Sequence, residues 1–306
     1  METVNCLFGH KETSQEFMSA KDRLGVSDEV FHVYRCQTCG LWYLNPRPTQ
    51  DEIGAFYPYS EYRAEFSPAI DDELSSFKRW NRRYSLQKVC RFVEAHYRAG
   101  TLLDIGCATG NFLAEMRQRG NWEVFGLDAN LEAVNYARER FHLDVFHGVL
   151  DQAHYSSAMF DVVTMWNVIE HLHDPCDILR QVHTVLKPGG ALIFSLPNAN
   201  SIDAKIFKSF WVGFDPPRHL YTFTIQTVKQ LLHLTGFELV QHRHITGSYH
   251  SWTASALQFL ARRYPKMKWL SKMVTSLPMR GVLWPYLRFA ETINRGAILS
   301  IMAKKF

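Results

Sequence analysis

"LLDIGCATGNF", residues 102–112, decides how the rest of the chain is read. An apolar run stops at Asp104, the backbone turns through Gly106 and Gly110, and a helical pattern begins. Glycines there let the backbone approach a ligand closely, and a helix opening near Gly110 offers it free N–H groups. Cys107, inside the loop, has three conceivable uses: nucleophile, metal ligand or packing.

Downstream of this stretch, short apolar runs alternate with helical patterns. Strands are expected at 101–105, 122–127, 143–147, 160–166 and 190–196, and helices at about 110–119, 130–140 and 175–187. Asp174-Pro175 is a good helix opening and the "KPGG" of 187–190 a good stop. Such alternation argues for an α/β fold, a doubly wound parallel sheet with helices on both faces. A helix at 224–235, a strand at 237–244 and a last strand within "GAILSIMAKK" follow. Upstream, Leu74, Phe77, Leu86, Val89, Phe92 and Val93 recur at roughly helical spacing, so a helix from Asp71 to about His96 leads into the first strand.

In a doubly wound sheet a ligand sits at the carboxyl ends of the strands, where the strand order reverses. The second strand ends at Asp128, 22 residues after Gly106, where an acid can accept both hydroxyls of a ribose. The loop discriminates further. A dinucleotide calls for G-x-G-x-x-G so that its pyrophosphate can reach the helix N-terminus. Gly106-Cys107-Ala108-Thr109-Gly110 lacks that spacing and suits an adenosine-bearing ligand without phosphates, which ranks a nicotinamide dehydrogenase last among the readings.

Five motifs in order now resemble one family, the class I S-adenosylmethionine-dependent methyltransferases. They are "LLDIGCATGNF", Asp128 in "VFGLDAN", "FDVVTMWNVIEHLHDP" at 160–175, "VLKPGGALIFSLPN" at 185–198 and "GFELV" at 236–240. The resemblance covers about residues 71–246 and the last strand. It implies a Rossmann-like seven-stranded sheet whose last strand is antiparallel, and S-adenosylmethionine as cofactor. By the same resemblance, Asp104, Gly106, Cys107, Ala108 and Gly110 would line the methionine and ribose, Asp128 would hold the ribose, and Ala129 would flank the adenine. Leu150 and Asp151 would lie against the adenine, and Trp166 and Asn167 would face the sulfonium. Cys107 then reads as a small side chain beneath the ligand, since a nucleophile there would face the cofactor rather than the substrate. Two look-alikes are set aside: "FDPPRH" at 214–219 and "HDPC" at 173–176 lie at the wrong places for base-methylating motifs. Cys176 reads as buried packing.

Methyl transfer to a hydroxyl needs a base. His171 is the leading candidate, with Glu170 beside it; in ubiquinone-pathway O-methyltransferases, which this stretch resembles, such a pair can serve a divalent ion. The alternative is that both only bond backbone at a turn. Arg218 and His219, in "WVGFDPPRHLYTF", are candidates for holding an anionic or sugar substrate, the alternative being a loop pinned by salt bridges. His242 and His244 share one face of a strand and read as structural.

Cys36-x-x-Cys39-Gly is a knuckle spacing suited to zinc, and with Cys6 and His10 it makes a Cys3His set. Four protein ligands would make the ion structural. "GLWYLNPRP" at 40–48 resembles the sequence that follows such ribbons in related methyltransferases, although position 9 is Gly where a second Cys-x-x-Cys would end. A metal-free ribbon is the alternative. The expected organisation is a zinc-ribbon-like segment at 1–45, a linker and helix at 46–98, and a methyltransferase domain at 99–306. Within that domain a helical insert of about 247–293 precedes the last strand.

Composition bounds the partners. The 306 residues, 46% apolar and 14% aromatic, describe a packed globular chain, and a net charge of +4 is too small to announce a nucleic-acid binder. No apolar run is long enough to span a membrane, no secretory signal is expected, and six cysteines do not read as a disulfide framework, so a cytoplasmic setting is the default. From Leu239 to Ala290, however, there are eight Lys or Arg and no Asp or Glu, interleaved with aromatic residues. That pattern suits an anionic bilayer surface or a lipid-linked acceptor, or else a lid or dimer face. The expected activity is methyl transfer to a small molecule, with a hydroxyl of a sugar or glycan precursor first and a phenolic metabolite next. RNA methylation and non-catalytic cofactor binding are the rivals. The oligomeric state is left open.

Overall fold

The computed structural model describes residues 1–11, 13–57, 70 and 75–306, so most of the aromatic stretch at 56–66 and the helix start expected at Asp71 lie outside the described residues. Three short strands come first: β1 (Ser14–Lys21), β2 (Val30–Cys36) and β3 (Trp42–Leu44). Helix α1 (Ser76–Glu94) leads into the alternating core of β4 (Gly100–Ile105), α2 (Asn111–Gln118), β5 (Trp122–Asp128), α3 (Leu131–Phe141) and β6 (Asp144–His147). The second half runs through β7 (Phe160–Trp166), α4 (Pro175–Val185), β8 (Leu186–Pro197), α5 (Ile202–Phe207), β9 (Tyr221–Thr222), α6 (Ile225–Leu234) and β10 (Phe237–Arg243). Three helices, α7 (Ser248–Arg263), α8 (Lys268–Val274) and α9 (Leu277–Thr292), precede β11 (Ile298–Lys305).

Seven strands form one sheet in the order β10-β11-β8-β7-β4-β5-β6. β11 is antiparallel to both its neighbours, while β4, β5, β6, β7 and β8 pair in parallel. The chain winds from β4 to one edge and returns at β7, so the order reverses at the carboxyl ends of β4 and β7, where a crevice must open. Parallel strands covered on both faces are apolar throughout, and successive residues divide between two cores. Leu102, Val162 and Ile193 pack with α1, α2 and α3. Leu103, Val163, Leu192 and Phe194 pack with α4 and α6.

The "KPGG" stretch behaves differently from the expected stop. The helix ends at Val185, and β8 begins at once and carries Lys187-Pro188-Gly189-Gly190 within it. Phe160 pairs with Leu186 and Val162 with Ala191, so the extra residues are pushed out as a bulge. Gly189 takes φ +74, which a side chain rarely adopts and a bulge uses.

The amino-terminal strands do not close by themselves. β9, from the loop after β8, pairs with β3 and completes a four-stranded antiparallel sheet. Phe31, Val33, Tyr43 and Leu44 of that sheet belong to the same apolar cluster as α4 and α6. Arg47 reinforces the join, donating to the His173 carbonyl and the Tyr221 hydroxyl.

Candidate active site

The loop after β4 turns on three left-handed residues: Gly106 at φ +71, Ala108 at +49 and Gly110 at +76. A Cβ on Gly106 would meet Val168 at 2.6 Å, and one on Gly110 would meet Leu143 at 2.7 Å, so glycine is required by space as well as by φ. Gly110 caps α2 with no side-chain hydrogen bond, so the amides of the helix's first turn have no capping side chain. Asp128 reaches back from β5: its carboxylate accepts the Ala108 amide at 2.8 Å and the Asn130 amide at 2.8 Å. The ribose candidate therefore also shapes the loop. Burial raises the Asp128 carboxyl despite those two amides.

Asp104 lies beneath the loop, fully enclosed, and accepts a 2.6 Å hydrogen bond from Thr164 of β7. Burial pushes its carboxyl up to about 8, with a further contribution from Asp128 nearby. Cys107 is buried in the helical-side core, its sulfur in the space that a Cβ on Gly126 would occupy, and burial drives its thiol well above the usual range. It is packing in this fold and no thiolate nucleophile. Ala129 and Asp151 are exposed at the rim and Leu150 is buried under it. At the end of β7, Trp166 packs edge-on to Phe112, and its buried indole N–H has no partner among the described residues. Asn167 takes φ +56 and accepts from Ser195 Oγ at 3.2 Å.

A second cluster follows within four residues. The turn 169–171 buries Glu170 completely, and neither carboxylate oxygen has a hydrogen-bond partner among the described residues. Burial pushes that carboxyl up to about 8. His171 and His219 meet edge to face, ring centroids 4.6 Å apart. His171 Nδ1 lies 3.0 Å from the Arg218 carbonyl and 2.8 Å from the Tyr57 hydroxyl; His219 Nδ1 lies 2.9 Å from the Gly213 carbonyl. A carbonyl only accepts, so each Nδ1 carries the proton and each Nε2 keeps its lone pair. Burial holds both rings neutral, His171 down to about 3. Glu170, His171 and His219 each offer one ligand atom, all within 4.8 Å of one another.

Arg218, a candidate for holding an anionic or sugar substrate, is fully buried. It donates to Asp215 at 2.6 and 2.9 Å and to Asp22 at 2.8 Å, and Arg23 donates at 3.1 Å to the same Asp215 Oδ1 that accepts the shorter Arg218 bond. The salt-bridge alternative describes it: a guanidinium held by two carboxylates has no fork left for a substrate. Tyr57 was not picked out from the sequence, and its place beside His171 has no local signal beyond the aromatic content of its stretch.

Cys6, His10, Cys36 and Cys39 converge at the other end of the small sheet. The Cys6 and Cys39 sulfurs are 3.5 Å apart, and His10 Nδ1 is 3.7 Å from Cys6 Sγ and 3.5 Å from Cys36 Sγ. A tetrahedral zinc with ~2.3 Å bonds to sulfur spaces its ligands by ~3.8 Å, so the set is compatible with zinc. Burial raises the Cys6 and Cys39 thiols, whereas Cys36, against the opposing effect of burial, is drawn down to about 6 by the Cys39 amide and the Thr13 hydroxyl.

Comparison with known proteins agrees with this architecture. A family model described as a methyltransferase domain matches residues 77–242. Over 104 residues the chain is 39% identical to the ubiquinone biosynthesis O-methyltransferase of Ruegeria pomeroyi, covering 32% of this chain and 42% of that protein. Over 153 residues it is 32% identical to a Mycolicibacterium smegmatis protein named a probable S-adenosylmethionine-dependent methyltransferase, covering 47% of this chain and 55% of the relative. The chain thus spans about half the length of these curated relatives. Among solved structures, the cyclase SpnF matches with a TM-score of 0.54 at 20% identity, over 85% of this chain and 97% of that one. A SAM-dependent methyltransferase from Archaeoglobus fulgidus matches with a TM-score of 0.52 at 18% identity, over 81% and 100%. These structures establish the fold alone. With the strand order, the glycine loop and the acid after β5 in place, and more than half of the chain matched, the protein belongs to the methyltransferase-domain family and is built on its class I, Rossmann-like fold.

Proposed function

We propose that the chain transfers the methyl group of S-adenosylmethionine to a hydroxyl of a small-molecule acceptor, with His171 receiving the hydroxyl proton. One observation carries the reading: a neutral imidazole, its Nδ1–H committed to a backbone carbonyl and its Nε2 lone pair open, stands four residues beyond Asn167 at the carboxyl end of β7. The glycine loop and the organised Asp128 fit the cofactor, since Asp128 offers a ribose a carboxylate fixed at the end of β5 and the loop has none of the spacing a pyrophosphate needs. When bound, S-adenosylmethionine supplies a methyl already activated on a sulfonium.

The chain's own part is alignment and proton removal. As the acceptor oxygen forms its bond to the methyl carbon and the carbon–sulfur bond breaks, the hydroxyl proton passes to Nε2 of His171. Asp128 and the loop hold the nucleoside; Trp166 and Asn167 border the reacting carbon. The O-methyltransferases among the relatives favour oxygen as the acceptor atom. A sugar or glycan hydroxyl belongs to the proposal from the sequence and draws no weight from those relatives.

A second reading rests on the two oxygens of Glu170, which have no hydrogen-bond partner among the described residues. Glu170, His171 and His219 would hold a divalent cation, each histidine steadied by its Nδ1–H on a carbonyl, as ligating histidines usually are. The cation would lower the acceptor's pKa instead of leaving proton removal to the imidazole alone. The Cys6, His10, Cys36 and Cys39 set would hold a structural zinc.

Calorimetric titration with S-adenosylmethionine, S-adenosylhomocysteine and NAD tests the class: binding of the first two alone supports it, and binding of NAD or of none removes it. His171→Ala is expected to lower kcat by about 100-fold with cofactor affinity unchanged. Loss of turnover on chelation, restored by Mg2+ and absent in Glu170→Gln, would select the metal reading; turnover indifferent to chelators would select the base.

A further inference from the structure

Among the described residues, twenty-two large apolar side chains are exposed, and ten of them fall between Phe259 and Ile293. About a ninth of the chain thus carries nearly half of the exposed apolar residues, so the clustering is regional. Helix α9 shows how. Its inner face buries Leu283, Leu287 and Ala290. Its outer face, which a water-facing helix would make polar, presents Leu277 at 64% exposure, Val282 at 71%, Trp284 at 63% and Phe289 at 59%. Pro278, Gly281 and Pro285 lie between them, and the single charge on that side, Arg288, is paired with Glu291. A helix apolar on both sides calls for a second cover.

Charge identifies the cover. Residues 261–269, "ARRYPKMKW", are exposed without a break and combine Arg262, Arg263, Lys266 and Lys268 with Tyr264, Met267 and Trp269. From Leu239 to Ala290 there are eight Lys and Arg and no acid, and Glu291, just beyond, pairs with Arg288. A second segment, almost 200 residues away in sequence, repeats the composition. The "KRWNRRY" of α1 exposes Trp80 and Tyr84 among four basic residues, again without an acid. The two segments touch: Arg280 of α9 donates to Asn81 of α1 at 2.7 Å. The two segments thus adjoin, and each carries exposed tryptophan together with basic residues.

We propose that this face, formed by the outer sides of α8 and α9, the 261–269 turn and the start of α1, docks the protein onto a bilayer surface carrying anionic lipid. Indole rings sit at the headgroup boundary, apolar side chains enter it, and Lys and Arg meet the lipid phosphates. A second copy of the chain is the poorer occupant, because a two-fold interface would set the same cations against one another. No described helix is long and apolar enough to cross a membrane, so the contact lies on the surface. The inference stands independently of the methyl-transfer reading.

Flotation of the full chain with phosphatidylcholine vesicles containing 30 mol% phosphatidylglycerol, set against phosphatidylcholine alone, tests it. Binding to the anionic vesicles is expected to be stronger by about tenfold or more and to weaken between ~0.1 and ~0.5 M salt. Trp284→Ser with Phe289→Ser should abolish it. Lys266→Glu with Lys268→Glu should lower it by about tenfold with the melting temperature unchanged, so the test survives if the apolar variant does not fold. Absence of wild-type binding, or equal binding to both vesicles at either salt, would overturn the proposal. So would a dimer in sedimentation equilibrium that the Trp284 and Phe289 substitutions convert to monomer, since the face would then belong to a second copy.

Discussion

Asp128 illustrates how one side chain serves structure and ligand together. Its two oxygens hold the amides of Ala108 and Asn130, one in the glycine loop and one at the start of α3. A ribose entering the crevice would meet an acceptor already fixed in place, which lowers the ordering cost of binding. Asp128→Ala is expected to weaken S-adenosylmethionine binding by roughly 10- to 100-fold, the worth of a hydrogen bond to a charged group. Calorimetry reads it, with circular dichroism confirming the fold; unchanged affinity would detach Asp128 from the cofactor. Glu170 and His171 pose the opposite case, since their chemistry lies in what they lack among the described residues: partners for two oxygens and for one ring nitrogen.

At the scale of elements, the contact between α5 and α9 contains a titrating group. Asp203 is buried and accepts from the Tyr286 hydroxyl at 2.6 Å. Burial pushes its carboxyl up to about 6, against the Tyr286 bond. The folded state therefore holds this proton more tightly than the unfolded chain does, and the stability it contributes is complete below about pH 4 and lost as pH rises through about 6. Asp203→Asn should leave stability at pH 4 nearly unchanged and raise it at pH 8 by on the order of 2 kcal/mol in denaturant titrations. The small sheet carries a prediction of its own. If Cys6, His10, Cys36 and Cys39 hold zinc, chelation should speed amide exchange across β1 and β2 by ~100-fold while the seven-stranded sheet stays protected. Equal exchange with and without chelator would mark the ribbon as metal-free.

The molecule as a whole is tied together by a buried ion cluster that spans nearly two hundred residues of sequence. Asp22 closes the turn after β1, accepting the amides of Leu24 and Val26, and receives Arg218 from the loop before β9. Arg218 also binds Asp215, whose carboxyl, against the burial that would raise it, stays well below its usual range through Arg218 and Arg23. Arg218→Met would take the shared guanidinium from two buried carboxylates and is expected to cost about 3–5 kcal/mol. An unchanged denaturation midpoint, with only acceptor KM raised, would instead return Arg218 to substrate binding. The same loop supplies β9 to the small sheet and His219 to the cluster around Glu170, so the amino-terminal strands and the candidate site share one support.

What the sequence determined by itself was whatever depends on near neighbours. The glycine loop, Asp128, the parallel strands and the Asp174-Pro175 helix opening all follow from spacings of a few residues, because turn geometry, capping and strand periodicity are local. The Cys36-x-x-Cys39 knuckle was legible for the same reason; its meeting with Cys6 and His10 is now seen in space. Only the tertiary structure decided the pairings across long separations. His219 stands beside His171 because the chain after β8 crosses back to the end of β7 before forming β9, and Tyr57 reaches the same ring from the opposite end of the chain. Arg218 could bind a substrate or pin a loop on sequence grounds, and the choice depends on Asp22, which no local rule places next to it. The outward apolar face of α9 was likewise hidden, since an apolar residue on a helix does not say whether it points into the core or out of it until the core has been filled.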